Sequence, residues 1–260
     1  MSAPRLDVEI VGQGRDLVLL HSLLSDRTSF EPLAARLEGQ RRLILVNLPG
    51  FGRSPPTGPA ISDYADAVAG LFDDLALPRE IDVLGNGLGG FVGLRLAIGH
   101  GARFDRLVLV GSAVAFPDAG RATFRALADK VEREGMAAVT GVAMRRMFPE
   151  AFIAAHREVV AGRAAAFEQI DPAVFASACR ALAALDLHAD LARVRNPTLI
   201  VVGEQDQATP PPLARALTEC LADARRIEMP GLGHCPHIQD PGAFVAAIAP
   251  FLDLRAKQAG

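Results

Sequence analysis

The sequence predicts an α/β fold in which a mostly parallel sheet is covered by helices on both faces. Three observations predict it. Short continuous apolar runs, Leu17 to Leu20, Leu43 to Val46, Ile81 to Leu84, Leu107 to Val110 and Thr198 to Val202, read as strands buried on both sides. Helix-compatible segments alternate with these runs, the rhythm of strand–helix–strand units. The chain has 260 residues, half of them apolar, enough for one large domain with a buried core.

Taken in order, Leu6 to Val11 alternates apolar and polar residues as an edge strand does, and Leu17 to Leu20 is a buried strand ending at His21. Phe30 to Leu37 is a short amphipathic helix, followed by the strand Leu43 to Val46. The next segment, Asn47 to Ser54, is a loop by its proline and glycines. Ser62 is the expected cap of a helix running to about Leu75. The strand Ile81 to Leu84, a helix through Phe91 to Ile98 and the strand Leu107 to Val110 follow. From Phe116 to Asp190 no strand is expected. Ala, Arg and Leu recur at helical spacing through Arg121–Glu134, Met136–Met147, Ala151–Gly162 and Pro172–Leu185. The alternation resumes with the strand Thr198 to Val202, a helix from about Leu213 to Leu221, the strand Arg226 to Met229 and a helix Gly242 to Leu254. Asp240 is the N-cap of that last helix and Pro241 opens its first turn.

Composition narrows the function classes. A net charge of −3 and an isoelectric point near 6.1, with Lys and Arg dispersed, speak against nucleic-acid or anionic-membrane partners. Met1 to Asp7 carries neither a basic start nor an apolar stretch, so no signal peptide is read there. No apolar run reaches the ~18 residues of a membrane span. Three widely spaced cysteines, Cys179, Cys220 and Cys235, form neither a metal motif nor a disulfide framework, which points to a reducing, cytoplasmic location. Expected partners are a small-molecule substrate and, at most, a second copy of the chain, as monomer or homodimer. No cofactor or metal is expected.

The most informative segment is Val83-Leu84-Gly85-Asn86-Gly87-Leu88-Gly89-Gly90. Its strand–turn–helix setting is that of a nucleophile elbow, small-x-nucleophile-x-small. Gly85 and Gly89 are the small residues, but the central position, where Ser, Asp or Cys belongs, holds Gly87. Ligands of open α/β sheets bind beyond the carboxyl ends of the strands. Those ends carry His21-Ser22-Leu23, the Gly87 turn, Gly203-Glu204-Gln205-Asp206 and Gly231-Leu232-Gly233-His234. A carboxylate and an imidazole thus converge on the Gly87 turn, in the chain order nucleophile position, acid, His.

Together with Leu48-Pro49-Gly50-Phe51-Gly52-Arg53-Ser54, these segments make the chain resemble the α/β-hydrolase superfamily over nearly its full length, within it the single-cap enol-lactonase, carboxylesterase and carbon–carbon hydrolase type. The resemblance implies an eight-stranded sheet with a helical cap inserted after the sixth strand: a core of residues 1–115 and 191–260 and a cap of residues 116–190. It also implies roles by position. Gly87 occupies the nucleophile position, His234 is the general base and Asp206 orients it. The backbone N–H groups of Leu23 and Leu88 form the oxyanion site. Ser22 stands where the family usually has Gly, and Ser22, Arg145 and Arg146 are candidates for contact with substrate, the arginines through a carboxylate.

The implied function is hydrolysis of a small ester, lactone or β-ketone-type substrate through a nucleophile–His–Asp triad. Glycine has no side chain to attack with, so this form is expected to be inactive or severely impaired, apart from a slow route through a water activated by His234. Two other readings compete: a lyase, cyclase or cofactor-free oxygenase driven by the His234–Asp206 dyad, and a non-catalytic ligand-binding module. Ser112, at the end of the Leu107 strand, is a candidate for a relocated nucleophile. Cys235 and His237 are expected to be structural, as is His21.

Overall fold

The apolar runs become strands of one sheet because each can bury both faces only between layers of helix. The structure is a computed structural model describing residues 5–255, so Met1 to Pro4, part of the segment read for a signal peptide, lies outside the described residues. The strands are β1 (Val8–Gly12), β2 (Arg15–Leu20), β3 (Arg41–Val46), β4 (Asp82–Asn86), β5 (Arg106–Val110), β6 (Thr198–Gly203) and β7 (Ala224–Met229). Their order across the sheet is β1-β3-β2-β4-β5-β6-β7. β1 runs antiparallel to β3 and every other neighbour pair is parallel, with Leu17 opposite Leu43 and Leu84 opposite Val108. The sheet therefore has seven strands among the described residues, not eight. The eighth came from the resemblance alone; the sequence holds seven strand-like runs. The long helical insertion accordingly follows β5, the fifth strand rather than the sixth.

Alternate residues of the central strands face opposite layers, as a period of two requires. Leu17, Leu19, Leu43, Leu45, Leu84, Val108 and Val201 pack with α1 (Glu31–Leu37) and α11 (Pro241–Leu252). Val18, Leu20, Ile44, Val46, Val83, Leu107, Leu109 and Ile200 pack on the other side with α2 (Ile61–Asp74) and α3 (Leu88–His100). Asp240 caps α11 by accepting from the Ala243 N–H at 2.8 Å, with Pro241 in the first turn. The expected Ser62 cap is not formed. α2 starts at Ile61 with Ala60 as its cap, two residues earlier than a Ser62 cap would place it, and the Asp63 carboxylate reaches back to the Ala60 N–H at 2.9 Å, a stronger acceptor on the first turn than a serine hydroxyl within it.

Between β5 and β6 the chain forms α4 (Asp118–Glu134), α5 (Ala137–Met147), α6 (Glu150–Ala155), α7 (Arg157–Glu168) and α8 (Pro172–Ala184). The stretch read as one helix from Ala151 to Gly162 is broken at His156, whose φ of −124° and ψ of 51° interrupt the helical bonds. The two ends of this excursion are tied together at its base. Ala115 bridges Asp186, and the Leu187 N–H donates to the Val114 carbonyl at 3.0 Å. Arg121 donates to the carbonyls of Phe116, Ala183 and Leu185 at 2.8, 2.9 and 3.1 Å. α9 (Pro211–Cys220) and the short α10 (Pro236–Gln239) complete the fold. No helix of the described residues is long and apolar enough to cross a membrane.

Candidate active site

The loops beyond β6 and β7 bring a carboxylate to an imidazole. Asp206 and His234 are both buried, and His234 Nδ1 lies 2.8 Å from Asp206 Oδ2. Asp206 Oδ1 accepts the N–H groups of Ala208 and Thr209 at 2.8 and 2.9 Å, and the Thr209 hydroxyl donates to Oδ2 at 2.9 Å. Asp206 Oδ2 accepts the hydrogen bond of His234 Nδ1–H, which leaves the Nε2 lone pair facing outward, a tautomer assigned from the hydrogen-bond network. The ring is held from behind through its backbone. The His234 N–H donates to the Met147 carbonyl of α5 at 3.1 Å, and Asn86 Nδ2 donates to the His234 carbonyl at 2.9 Å. The Gly231 N–H donates to Glu204 at 2.8 Å, joining the two loops.

Nε2 faces Gly87. This residue forms the turn between β4 and α3 at φ 52° and ψ −115°, a region that L side chains enter only with strain and glycine enters freely. A Cβ placed there would sit 2.8 Å from His234 Nε2 and 2.7 Å from Ser22 Oγ. Gly85 and Gly89 have a different task. A Cβ on Gly85 would meet the Gly89 carbonyl at 2.2 Å, and one on Gly89 would meet the Leu20 carbonyl at 2.0 Å, so α3 packs directly on the sheet. Gly111, at φ 59°, closes the back of the dyad: a Cβ there would lie 2.6 Å from His234 Nδ1 and 3.0 Å from Asp206 Oδ2. Gly111→Ala is expected to destabilise the fold by about 1–3 kcal/mol and to break the Asp206–His234 contact. Denaturant unfolding measures the first, and the downfield resonance of the shared imidazole proton reports the second.

Ser22, Leu23 and Leu24 form the opposite wall, beyond β2. Ser22 Oγ lies 3.5 Å from His234 Nε2 and 3.4 Å from the Leu24 N–H. The N–H groups of Leu23 and of Leu88, the first residue of α3, make no hydrogen bond among the described residues. His21 braces the loop, donating from Nδ1 to the Ser22 carbonyl at 2.8 Å and accepting the Leu48 N–H on Nε2 at 3.0 Å. Burial pushes its imidazole down to about 4.

A cavity of about 30 Å³ opens on Gly87, Ser22, His234 and Thr209. Leu23, Leu88, Phe91, Phe116, Phe124, Leu127 and Leu182 supply apolar walls, the last four from the helical excursion and the segment leading into it. Arg146 also lines it. Its guanidinium makes no hydrogen bond or ion pair among the described residues and stands 5.8 Å from the Phe124 ring centroid. Burial holds it below its ordinary value, with the charge of Asp206 acting the other way. The remaining candidates lie elsewhere. Arg145 is exposed on α5 and does not line the cavity. Ser112 is buried without a hydrogen-bond partner among the described residues, its Oγ 2.0 Å from where a Gly90 Cβ would be, and it does not line the cavity, so no imidazole bonds to it as a relocated nucleophile requires. Cys235 is buried, its Sγ 3.6 Å from Asn86 Oδ1 and its thiol pushed up by burial. His237 packs between Phe30 and Phe244. No group of three His, Cys, Asp or Glu side chains among the described residues could hold a metal ion.

The sequence profile of the alpha/beta hydrolase family matches residues 17–248. The chain belongs to the α/β-hydrolase family. Among the relatives of this α/β hydrolase, a pimeloyl-[acyl-carrier protein] methyl ester esterase of Chromobacterium violaceum is 30% identical, covering 96% of this chain and 99% of that one. A 3-oxoadipate enol-lactonase of Acinetobacter baylyi is 27% identical over 89% of this chain and 86% of that one. The crystal structure of the enol-lactonase from Burkholderia xenovorans superposes with a TM-score of 0.89 at 28% identity, covering 95% and 96% of the two chains.

Three residues that matter to the geometry escaped sequence reasoning. Thr209 carried a signal, since Asp followed three residues later by Thr is a local side-chain–backbone motif. Asn86 lay within the glycine-rich turn but its target, the carbonyl of His234, is remote in sequence. The Met147 carbonyl left no trace in side-chain chemistry at all.

Proposed function

We propose that this α/β hydrolase cleaves a small carboxylic ester or lactone with an apolar body and an anionic end. One observation carries the reading: the buried Asp206–His234 pair, 2.8 Å apart, turns the basic Nε2 toward a pocket lined by Leu23 and Leu88, whose backbone N–H groups are uncommitted among the described residues. His234 acts as general base toward the attacking hydroxyl and as general acid toward the departing oxygen. Asp206 keeps the imidazole in the required tautomer and stabilises its protonated form. The N–H groups of Leu23 and Leu88 bind the developing oxyanion, the second with the favourable dipole of the α3 N-terminus behind it. Gly87 stands in the nucleophile position of the family, so no covalent adduct forms on residue 87, and the attacking hydroxyl comes from elsewhere in the pocket.

The substrate class follows from the walls. Leucine and phenylalanine side chains suit a hydrocarbon body. Arg146, unpaired and partly desolvated, suits a carboxylate, and the names of the relatives, a methyl ester esterase and an enol-lactonase, belong to the same chemistry. A cavity of 30 Å³ holds about two water molecules, so admitting a substrate requires the walls from α4, α5 and α8 to move outward as a cap does.

The test is a panel of aryl esters and five- and six-membered lactones, each with and without a carboxylate arm. Turnover with preference for the carboxylate-bearing members is expected. Arg146→Gln is expected to raise KM for those members about ten- to a hundredfold and to leave the neutral ones little changed, read from steady-state kinetics. No turnover of any ester or lactone would overturn the substrate class, and proton exchange at an acidic carbon that depends on His234 would then favour a non-hydrolytic use of the dyad.

A further inference from the structure

We propose that Ser22 is the nucleophile of this site, completing a Ser22–His234–Asp206 relay in place of one through residue 87. This rests on the hydrolytic reading for its substrate but not for its principal test. The observation is the run of contacts Ser22 Oγ to His234 Nε2 at 3.5 Å and His234 Nδ1 to Asp206 Oδ2 at 2.8 Å, all three side chains buried.

Proton directions along the run are set from its ends. Asp206 accepts the Nδ1 proton, so Nε2 is an acceptor. The Leu24 N–H points at Ser22 Oγ from 3.4 Å and occupies an acceptor site of that oxygen. The Ser22 hydrogen is therefore free to point at Nε2, the arrangement a serine needs to lose its proton as it attacks. A separation of 3.5 Å is loose for a hydrogen bond, and such contacts tighten when substrate is bound.

The glycine at 87 is what makes room. A Cβ on residue 87 would stand 2.7 Å from Ser22 Oγ and 3.1 Å from Ser22 Cβ, so a side chain there and the observed Ser22 rotamer exclude one another. Ser22 Oγ reaches the space on the Nε2 side of the imidazole that a hydroxymethyl group on residue 87 would otherwise claim. The oxyanion donors serve this nucleophile as well. Leu23 follows Ser22 in sequence as Leu88 follows Gly87, both line the same cavity, and neither N–H makes a hydrogen bond among the described residues.

In the first step Ser22 Oγ forms a bond to the acyl carbon, its proton passes to His234 Nε2, and the bond from the acyl carbon to the alcohol oxygen breaks as that oxygen takes the proton from Nε2. In the second, water gives a proton to Nε2 and its oxygen attacks the acyl carbon. The Ser22 ester bond breaks and Oγ recovers the proton. The sum is ester plus water to acid plus alcohol.

The experiment is to treat the full chain with a fluorophosphonate, weigh the intact protein and locate any adduct by peptide mass spectrometry, alongside Ser22→Ala and Ser22→Cys. A single adduct on Ser22 is expected, with loss of label and at least about a thousandfold lower turnover in Ser22→Ala. Ser22→Cys is expected to accumulate a thioester that hydroxylamine releases. Thermal melting of each variant checks that the fold is retained. Turnover by the unmodified chain with no adduct on Ser22, or with Ser22→Ala as fast, overturns the assignment. An adduct on Ser22 without turnover of any ester or lactone supports the nucleophile and overturns the substrate class. Neither adduct nor turnover overturns both.

Discussion

Replacing His234 with Ala is expected to lower hydrolysis by at least about a thousandfold, and Asp206→Asn to a similar extent, because both remove the same function. Among the described residues, the imidazole is the only group within reach of the Gly87 turn that the surrounding bonds prepare as a base. Its Nδ1 is committed to Asp206 at 2.8 Å and its backbone is fixed by Met147 and Asn86. Loss of the ring removes the proton acceptor itself. Loss of the carboxylate lets the imidazole turn over to the wrong tautomer, since an asparagine amide can donate to Nδ1 and leave the proton on Nε2. The effect is expected in kcat, because neither group binds the ground-state substrate, and the double variant is expected to be no worse than the worse single one, as for groups that act as a unit. Steady-state kinetics on an aryl ester, with thermal melting as a check on folding, measures this. A decrease of less than about tenfold in His234→Ala would remove the dyad from the mechanism.

Acidification below about pH 6.5 is expected to destabilise the fold. His21 and His237 are both fully buried, and burial pushes their imidazoles down to about 4 and about 3. For His237, the positive charge of Arg163 adds to the effect. In the unfolded chain both titrate near the ordinary value of about 6.5. Below that pH the unfolded state binds protons that the folded state refuses, so stability falls as pH falls. The loss continues until the folded-state values are passed, and it amounts to on the order of 3–4 kcal/mol for the two rings by about pH 5. Denaturant unfolding between pH 8 and 5 reads the slope.

His237 offers the sharper variant. Neither of its ring nitrogens has a hydrogen-bond partner among the described residues, and its ring lies 4.8 Å from that of Phe30 and 5.9 Å from that of Phe244. His237→Phe therefore exchanges an unsatisfied polar ring for an apolar one of similar shape among aromatic neighbours. The variant is expected to be more stable than the native chain at pH 5 by about 2 kcal/mol, with a smaller difference at pH 8. Equal slopes in the two proteins would show that His237 carries a proton in the fold.

Much of the fold was legible because its signals are local. A strand buried on both faces must be apolar throughout, and a helix capped by Asp240 with Pro241 behind it announces its own start. The glycine-rich turn was legible for the same reason: Gly85 and Gly89 are required by contacts within the strand–turn–helix unit and with the strand beside it. Misreadings arose where two local candidates competed or where the resemblance added more than the residues held. Ser62 was a plausible cap, but the carboxylate of Asp63 took the Ala60 N–H. The eighth strand had no apolar run behind it.

By itself the sequence determined the α/β alternation, the placing of Asp206 and His234 at strand ends, and the absence of a side chain at residue 87, all of which are properties of composition, period and neighbours along the chain. Only the tertiary structure decided that Ser22 faces His234 across 212 residues of sequence, that Arg146 rather than Arg145 borders the cavity, and that Ser112 is turned away from it. The reason is physical. Local propensity acts over a few residues, whereas a hydroxyl, an imidazole and a carboxylate meet only when the twist and register of separate strands have set their distance, and no pattern within one segment encodes that distance.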